Sequence, residues 1–146
     1  MVAGGFALGY ALNGSGLAEL AMESIPFGEL SPLVILLLAV VICYLLSNFI
    51  SNSATAAVLM PILTVVCMAM GDKLAVIGGP STVLISVAVA ASSAMLLPIS
   101  TPPNALAFGT GYMTQRQMAR VGLIMGMVSI VLGISLLYLL GRLGVI

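Results

Sequence analysis

The sequence predicts an all-α membrane protein: a re-entrant helical hairpin, then a broken transmembrane helix, then one full spanning helix. Three observations predict it. First, hydrophobic residues make up 62% of the 146 and charged residues only 5%, against about 25% charged in soluble domains, too few to clothe a water-facing surface. Second, the apolar runs are 14 to 20 residues long and do not alternate with period two, which favours helices over barrel strands. Third, two uncharged polar knots interrupt these runs. One is Ser47-Asn48-Phe49-Ile50-Ser51-Asn52-Ser53-Ala54-Thr55 and the other is Pro98-Ile99-Ser100-Thr101-Pro102-Pro103-Asn104.

Residues 1–29 read as the end of a truncated transmembrane helix followed by an interfacial amphipathic helix. The chain opens abruptly on Met1-Val2-Ala3-Gly4-Gly5-Phe6, as if the start of a helix were absent, and this predicts a fragment or half-protein. Residues 2–12 as a helix span only about 16 Å. After the break at Asn13-Gly14-Ser15-Gly16, Glu19 and Glu23 share one face and Leu17, Leu20 and Ala21 another, the pattern of a helix lying in the interface. The two glutamates read as a solvated face. No basic residue precedes the first apolar stretch, so a secretory signal does not fit.

Residues 30–146 read as the functional unit. Leu33–Leu46 is fourteen apolar residues and Ala54–Met70 seventeen more, interrupted by Pro61; a spanning helix wants about 20. Gly71-Asp72-Lys73 reads as an aqueous loop and Ser81 as the N-cap of the next helix. Val83–Leu97 is ended by the proline-rich knot, because prolines remove backbone donors and clash with the preceding turn. Ala105–Phe108 resumes briefly. Val121–Leu140 is the one full-length spanning candidate. Arg116 and Arg120 lie in a segment without acids, so the positive-inside rule places residues 112–120 in the cytoplasm and residues 71–80 outside.

The first knot admits two readings: an aqueous loop between two short spanning helices, or the tip of a hairpin over residues 30–70 that stops near the bilayer centre. The short arms favour the hairpin. So does the absence of charge, glycine and proline from the knot, and so do its Ser and Asn side chains, which satisfy backbone groups and coordinate ions. At such a tip the N–H groups of a second arm starting near Ser53 seat a carboxylate or another oxyanion. The carbonyls ending the first arm, near Ser47 to Ile50, suit a small hard cation such as sodium, with Asn52 and the serine hydroxyls. The prolines of the second knot free carbonyls around Leu97, and Ser100 and Thr101 add oxygens. Broken apolar segments of this kind point to a transporter binding site. Serine and threonine in membrane helices also serve as plain packing groups, and that reading stands beside the first.

Several classes are excluded. Zero net charge without a basic stripe argues against nucleic acid. With no histidine, and with Cys43 and Cys67 each inside an apolar run, a transition-metal centre is not expected. No nucleophile–base pair suggests an enzyme. The ten methionines read as core filler. Tyr10, Tyr44, Tyr112 and Tyr138 read as interface anchors, with Tyr44 near the cavity.

Ser51-Asn52-Ser53-Ala54-Thr55-Ala56-Ala57 followed by Pro61 resembles the Ser-Asn-Thr signature of the divalent anion/sodium symporter family. Met95-Leu96-Leu97-Pro98-Ile99-Ser100-Thr101-Pro102-Pro103-Asn104-Ala105 is similar to that family's broken-helix segment. Gln117-Met118-Ala119-Arg120-Val121-Gly122 resembles the start of its last helix. The resemblance implies one half of an inverted-repeat transporter fold, the second repeat: outer hairpin 30–70, broken helix 81–112 and final helix 115–142. It implies sodium-coupled transport of a di- or tricarboxylate such as succinate, or of sulfate, by an elevator-like motion. Other readings are a permease for another anion such as arsenite, and a non-transporting assembly module.

Carried over by position, the resemblance implies that Ser51, Asn52, Ser53, Thr101 and Pro102 contact the anionic substrate. Ser47, the Ile50 carbonyl, Asn52 and the Ser100 carbonyl are implied to hold one sodium ion. Ser53 departs from the family's usual threonine, keeping the hydroxyl and losing a methyl. Exchangers of the family place a fixed cationic side chain where others use sodium; its absence from both knots favours sodium coupling for this half of the site. The implied partners are the lipid bilayer of a plasma or inner membrane, the missing N-terminal repeat and a second copy in a homodimer.

Overall fold

The structure, a computed structural model, describes residues 31–143; the readings made for residues 1–29 lie outside them. The described chain is helical, without strands. Helix α1 covers Pro32–Phe49, α2 covers Asn52–Met70, and a 3-10 helix follows at Gly71–Ile77. Helix α3 covers Gly79–Ser92, α4 Pro102–Gly109 and α5 Gln115–Arg142.

Helix α1 starts where Ser31 accepts the Val34 N–H on its hydroxyl and Pro32 occupies the first turn, the position where a missing N–H costs nothing. It runs through Ser47, Asn48 and Phe49, so the first knot is largely helical and only Ile50 and Ser51 are not. At eighteen residues α1 is long and apolar enough to cross a membrane, as α5 is; Val121–Leu140 is therefore not the single spanning candidate among the described residues. The buried residues of α1 form one stripe: Ile35 and Leu36, Ala39 and Val40, Cys43 and Tyr44, then Ser47 and Asn48. Each pair sits four residues after the last, which keeps it on one face. The polar pair thus ends the packed stripe, while the opposite face (Leu37, Leu38, Val41, Ile42, Leu45) stays exposed.

Helix α2 passes through Pro61 without ending. The 3-10 helix then leaves its axis at 106°, so the expected loop at 71–73 is a single ordered turn structure. That segment packs on α1 as well as on α2, so the start of α1 lies beside the end of α2 and the two arms form a hairpin. Helix α3 begins two residues before the expected N-cap Ser81. Gly78 and Gly79 hold φ of 94° and 84°, a conformation that suits glycine, and Gly78 takes the N-cap place with Pro80 behind it.

Helix α3 is the hub, packing on α1, α2, α5 and the 3-10 helix. Its buried face is small: Thr82 and Val83, Ser86 and Val87, Ala90 and Ala91. Helix α5 meets it through spaced glycines. A Cβ at Gly122 would overlap the Met95 carbonyl oxygen, and one at Gly126 would lie 2.5 Å from the Tyr44 hydroxyl and 2.9 Å from the Ser93 carbonyl oxygen. Gly133 faces Val89, and Gly141 faces Gly78. Small residues let helix backbones approach closely where lipid supplies no competing hydrophobic drive. Gly126→Val is expected to destabilise the protein by about 1–3 kcal/mol, the usual cost of overpacking, because two of the atoms it meets are fixed by backbone or by a buried ring. Thermal unfolding in detergent measures this, and an unchanged melting temperature would contradict the close approach.

These contacts set levels along α5. The hairpin tip and the chain break pack near its first turns, and the 3-10 helix packs at its end. Along the apolar run Val121–Leu140, the tip and the break thus lie beside its first residues and the 3-10 helix beside its last.

Candidate functional site

Both knots end in the same local device. At the first, Ser51 is extended (φ −61°, ψ 144°) and its hydroxyl accepts the Ala54 N–H at 3.2 Å, capping α2. At the second, Thr101 is extended (φ −143°, ψ 151°) and its hydroxyl accepts the Asn104 N–H at 3.3 Å, capping α4. Helix α2 therefore begins at Asn52, one residue before the expected Ser53, because the serine cap fixes the start.

The two helix starts differ in what they offer an anion. The N–H groups of Asn52 and Ser53 precede the first intrahelical bonds of α2 and stay open. In α4 the corresponding residues are Pro102 and Pro103, which have no N–H, and the next N–H is spent on Thr101. Open backbone donors thus come from α2 only. Thr101 keeps its hydroxyl proton as a donor. Ser51, Asn52 and Thr101 are half-buried, and Ser53 and Pro102 are exposed.

The oxygen acceptors gather at the same end. Ser47 is fully buried, and its hydroxyl oxygen has no partner among the described residues; the same holds for the Asn52 Oδ1 atom. The Ile50 carbonyl receives no N–H from α2, whose first two bonds both go to Ser51. The Ser100 carbonyl is passed over likewise, since the first bonds of α4 go to Thr101. Buried oxygens without partners are costly in an apolar setting unless something else satisfies them. An all-oxygen set of this kind suits a hard cation.

The break itself is more fully bonded than the prolines suggested. The Leu97 carbonyl accepts the Ser100 N–H at 3.1 Å and the Asn104 side-chain amide at 3.2 Å, so it is not free. Asn104 also donates to the Met95 carbonyl at 3.2 Å. Sequence reasoning missed Asn104 as the residue that closes the break; its signal was an amide three residues after the cap.

Asn48 was missed as well, and it joins the two knots. Its Oδ1 accepts the Leu96 N–H at 2.9 Å, and its Nδ2 donates to the Tyr44 carbonyl at 2.7 Å. Its own carbonyl accepts the Ser100 hydroxyl at 3.0 Å. Asn48 is 1% exposed and Ser100 likewise. The hairpin tip and the break are therefore one bonded unit, which brings Ser47 and Ser100 onto a common support. Tyr44 is buried on the same stripe and abuts the Gly126 position; its hydroxyl, like that of Thr55, is buried without a partner among the described residues. Among the described residues no cluster of His, Cys, Asp or Glu suits a metal ion.

Residues 1–143 match the model of the sodium:sulfate symporter transmembrane region. The chain is 37% identical over 138 residues to the sodium-dependent dicarboxylate transporter SdcS of Staphylococcus saprophyticus, covering 94% of this chain and 25% of that protein. It is 33% identical over 136 residues to SdcS of Staphylococcus aureus, covering 92% and 25% respectively. It is 32% identical over 133 residues to the Na(+)/dicarboxylate cotransporter 3 of Rattus norvegicus, covering 90% and 21%. The chain thus spans a quarter or less of the length of these relatives.

Proposed function

Because this chain belongs to the sodium:sulfate symporter family, a family of integral membrane transporters and not of enzymes, we propose that it supplies half of a sodium-coupled site for a small divalent anion. The observation that carries the proposal is the pair of buried oxygens without partners, Ser47 Oγ and Asn52 Oδ1, beside the open N–H groups that start α2. One end of the bundle thereby offers acceptors for a cation and donors for an oxyanion, side by side. Sodium is held by Ser47, the Ile50 carbonyl, Asn52 and the Ser100 carbonyl. The anion is held by Ser51, Asn52, Ser53 and Thr101, with Pro102 shaping the wall. Asn52 serves both, its amide oxygen toward the cation and its N–H toward the anion, so the bound charges neutralise one another across one residue.

The substrate class is a dicarboxylate such as succinate, as the names of the relatives suggest for those proteins; the family description keeps sulfate as the second candidate. The other half of the site comes from a second, inverted repeat, and the working protein is a homodimer. In proteoliposomes carrying the protein with both repeats, succinate uptake is expected to rise on imposing an inward sodium gradient and to vanish when potassium replaces sodium. Failure to take up succinate, citrate and sulfate under that gradient would remove the transport reading and leave the assembly-module reading.

A further inference from the structure

Two arginines at the start of α5 have no part in the proposed transport site. Arg116 and Arg120 stand four residues apart and so share a helix face. They border a cavity of about 430 Å³ between the hairpin tip, the chain break and α5. Its apolar walls are Phe49, Leu96, Leu97, Ala119 and Leu123. Asn48 also lines it, but its side-chain amide is already engaged by Tyr44 and Leu96.

Three features decide what fits there. Among the described residues the guanidiniums have no acidic neighbour: Asp72, the one acid there, sits in the 3-10 helix at the far end of α5. The pair also ends the polar segment, since the uncharged apolar run begins at Val121; the arginines thus stand at headgroup level while the cavity walls reach toward hydrocarbon. Finally, the walls offer no hydrogen bonds. A free dicarboxylate or sulfate in the cavity would lose its hydration against Phe49 and three leucines without compensation, so a small dianion is not the occupant. A phosphate diester carrying an acyl chain satisfies both parts, because arginine binds phosphate in a bidentate fork and basic pockets between transmembrane helices hold anionic lipid headgroups.

We propose that Arg116, Arg120 and this cavity form a binding site for an anionic phospholipid, its phosphate on the two guanidiniums and one acyl chain along Phe49, Leu96, Leu97 and Leu123. The site is separate from the ion-binding oxygens, so its test does not depend on transport. The full-length protein, purified in detergent, is titrated with phosphatidylglycerol, with phosphatidylcholine of the same chains, and with glycerol 3-phosphate. Native mass spectrometry reads bound lipid, and thermal unfolding reads stabilisation.

Phosphatidylglycerol is expected to be retained with roughly tenfold or greater preference over phosphatidylcholine and to raise the melting temperature. Glycerol 3-phosphate is expected to do neither. The double variant Arg116→Gln/Arg120→Gln loses the preference. Leu123→Trp, which fills the cavity from an exposed position, weakens retention while keeping both charges, and decides the question should the double variant not purify. Equal retention of the two lipids overturns the proposal. So does a preference that survives both variants, the result expected if the rest of the protein covers the cavity. Binding of glycerol 3-phosphate as strong as that of the lipid overturns it in favour of a free-phosphate site.

Discussion

Asn52→Ala is expected to abolish sodium-dependent uptake while leaving the protein folded and abundant in the membrane. The separation of the two effects follows from the bonding. The Oδ1 atom of Asn52 has no partner among the described residues, so truncation breaks no hydrogen bond among them and removes a buried polar atom that was itself a burden. The residue starts α2, where alanine is well tolerated and the cap belongs to Ser51. A hydrogen bond or ligand contact to a charged group is worth about 1.5–3 kcal/mol, so sodium affinity is expected to fall by roughly 10- to 150-fold. The measurement is initial uptake against sodium concentration in proteoliposomes, with surface abundance and melting temperature as controls. Wild-type uptake by this variant would take the hairpin tip out of the site.

The second large effect is expected at Asn48. Replacement by leucine keeps a similar volume but leaves the half-buried Leu96 N–H without its acceptor, which costs about 1 kcal/mol, the low end of the range for an unsatisfied group. It also removes the side-chain link between α1 and the break. The backbone link, from the Ser100 hydroxyl to the Asn48 carbonyl, remains until Ser100→Ala removes it. The two links hold the same junction, so the double variant is expected to depart from additivity by at least about 0.5 kcal/mol in unfolding experiments. Sodium half-saturation is expected to shift more than the limiting uptake rate, because the Ser47 and Ser100 oxygens lose their common support. Additive losses within a few tenths of a kcal/mol, with an unchanged sodium dependence, would show that the junction plays no part in shaping the cation side.

Ser51 and Thr101 illustrate how far local sequence reaches. A hydroxyl followed by a helix-forming or proline-led segment is a start signal, and both caps form as local chemistry dictates. Pro61 shows the opposite: a proline marks a break on average, yet α2 continues through it, because packing on α3 and on the other arm holds the helix together. Leu97 is the third case. Its carbonyl was expected to be free because of Pro98, and it is bonded twice because Asn104 folds back over the break, a contact between residues seven apart that no local rule anticipates.

By itself the sequence determined the membrane setting, the helical class, the positions of the two uncharged knots and the oxygen-bearing residue types that make them up. Each of these follows from composition and short-range order. Tertiary structure alone decided which face of α1 is packed, that Ser47 and Asn48 lie on that face, and that Asn48 joins the knots across 48 residues. It also decided which oxygens remain without partners. The physical reason lies in the solvent. In water, a helix advertises its buried face by contrast with a polar one. In a bilayer, lipid and core are equally apolar, so Leu37 and Leu36 read alike although one is exposed and the other fully buried. Only the packing of the small-faced α3, of α2 and of the 3-10 helix against α1 distinguishes them.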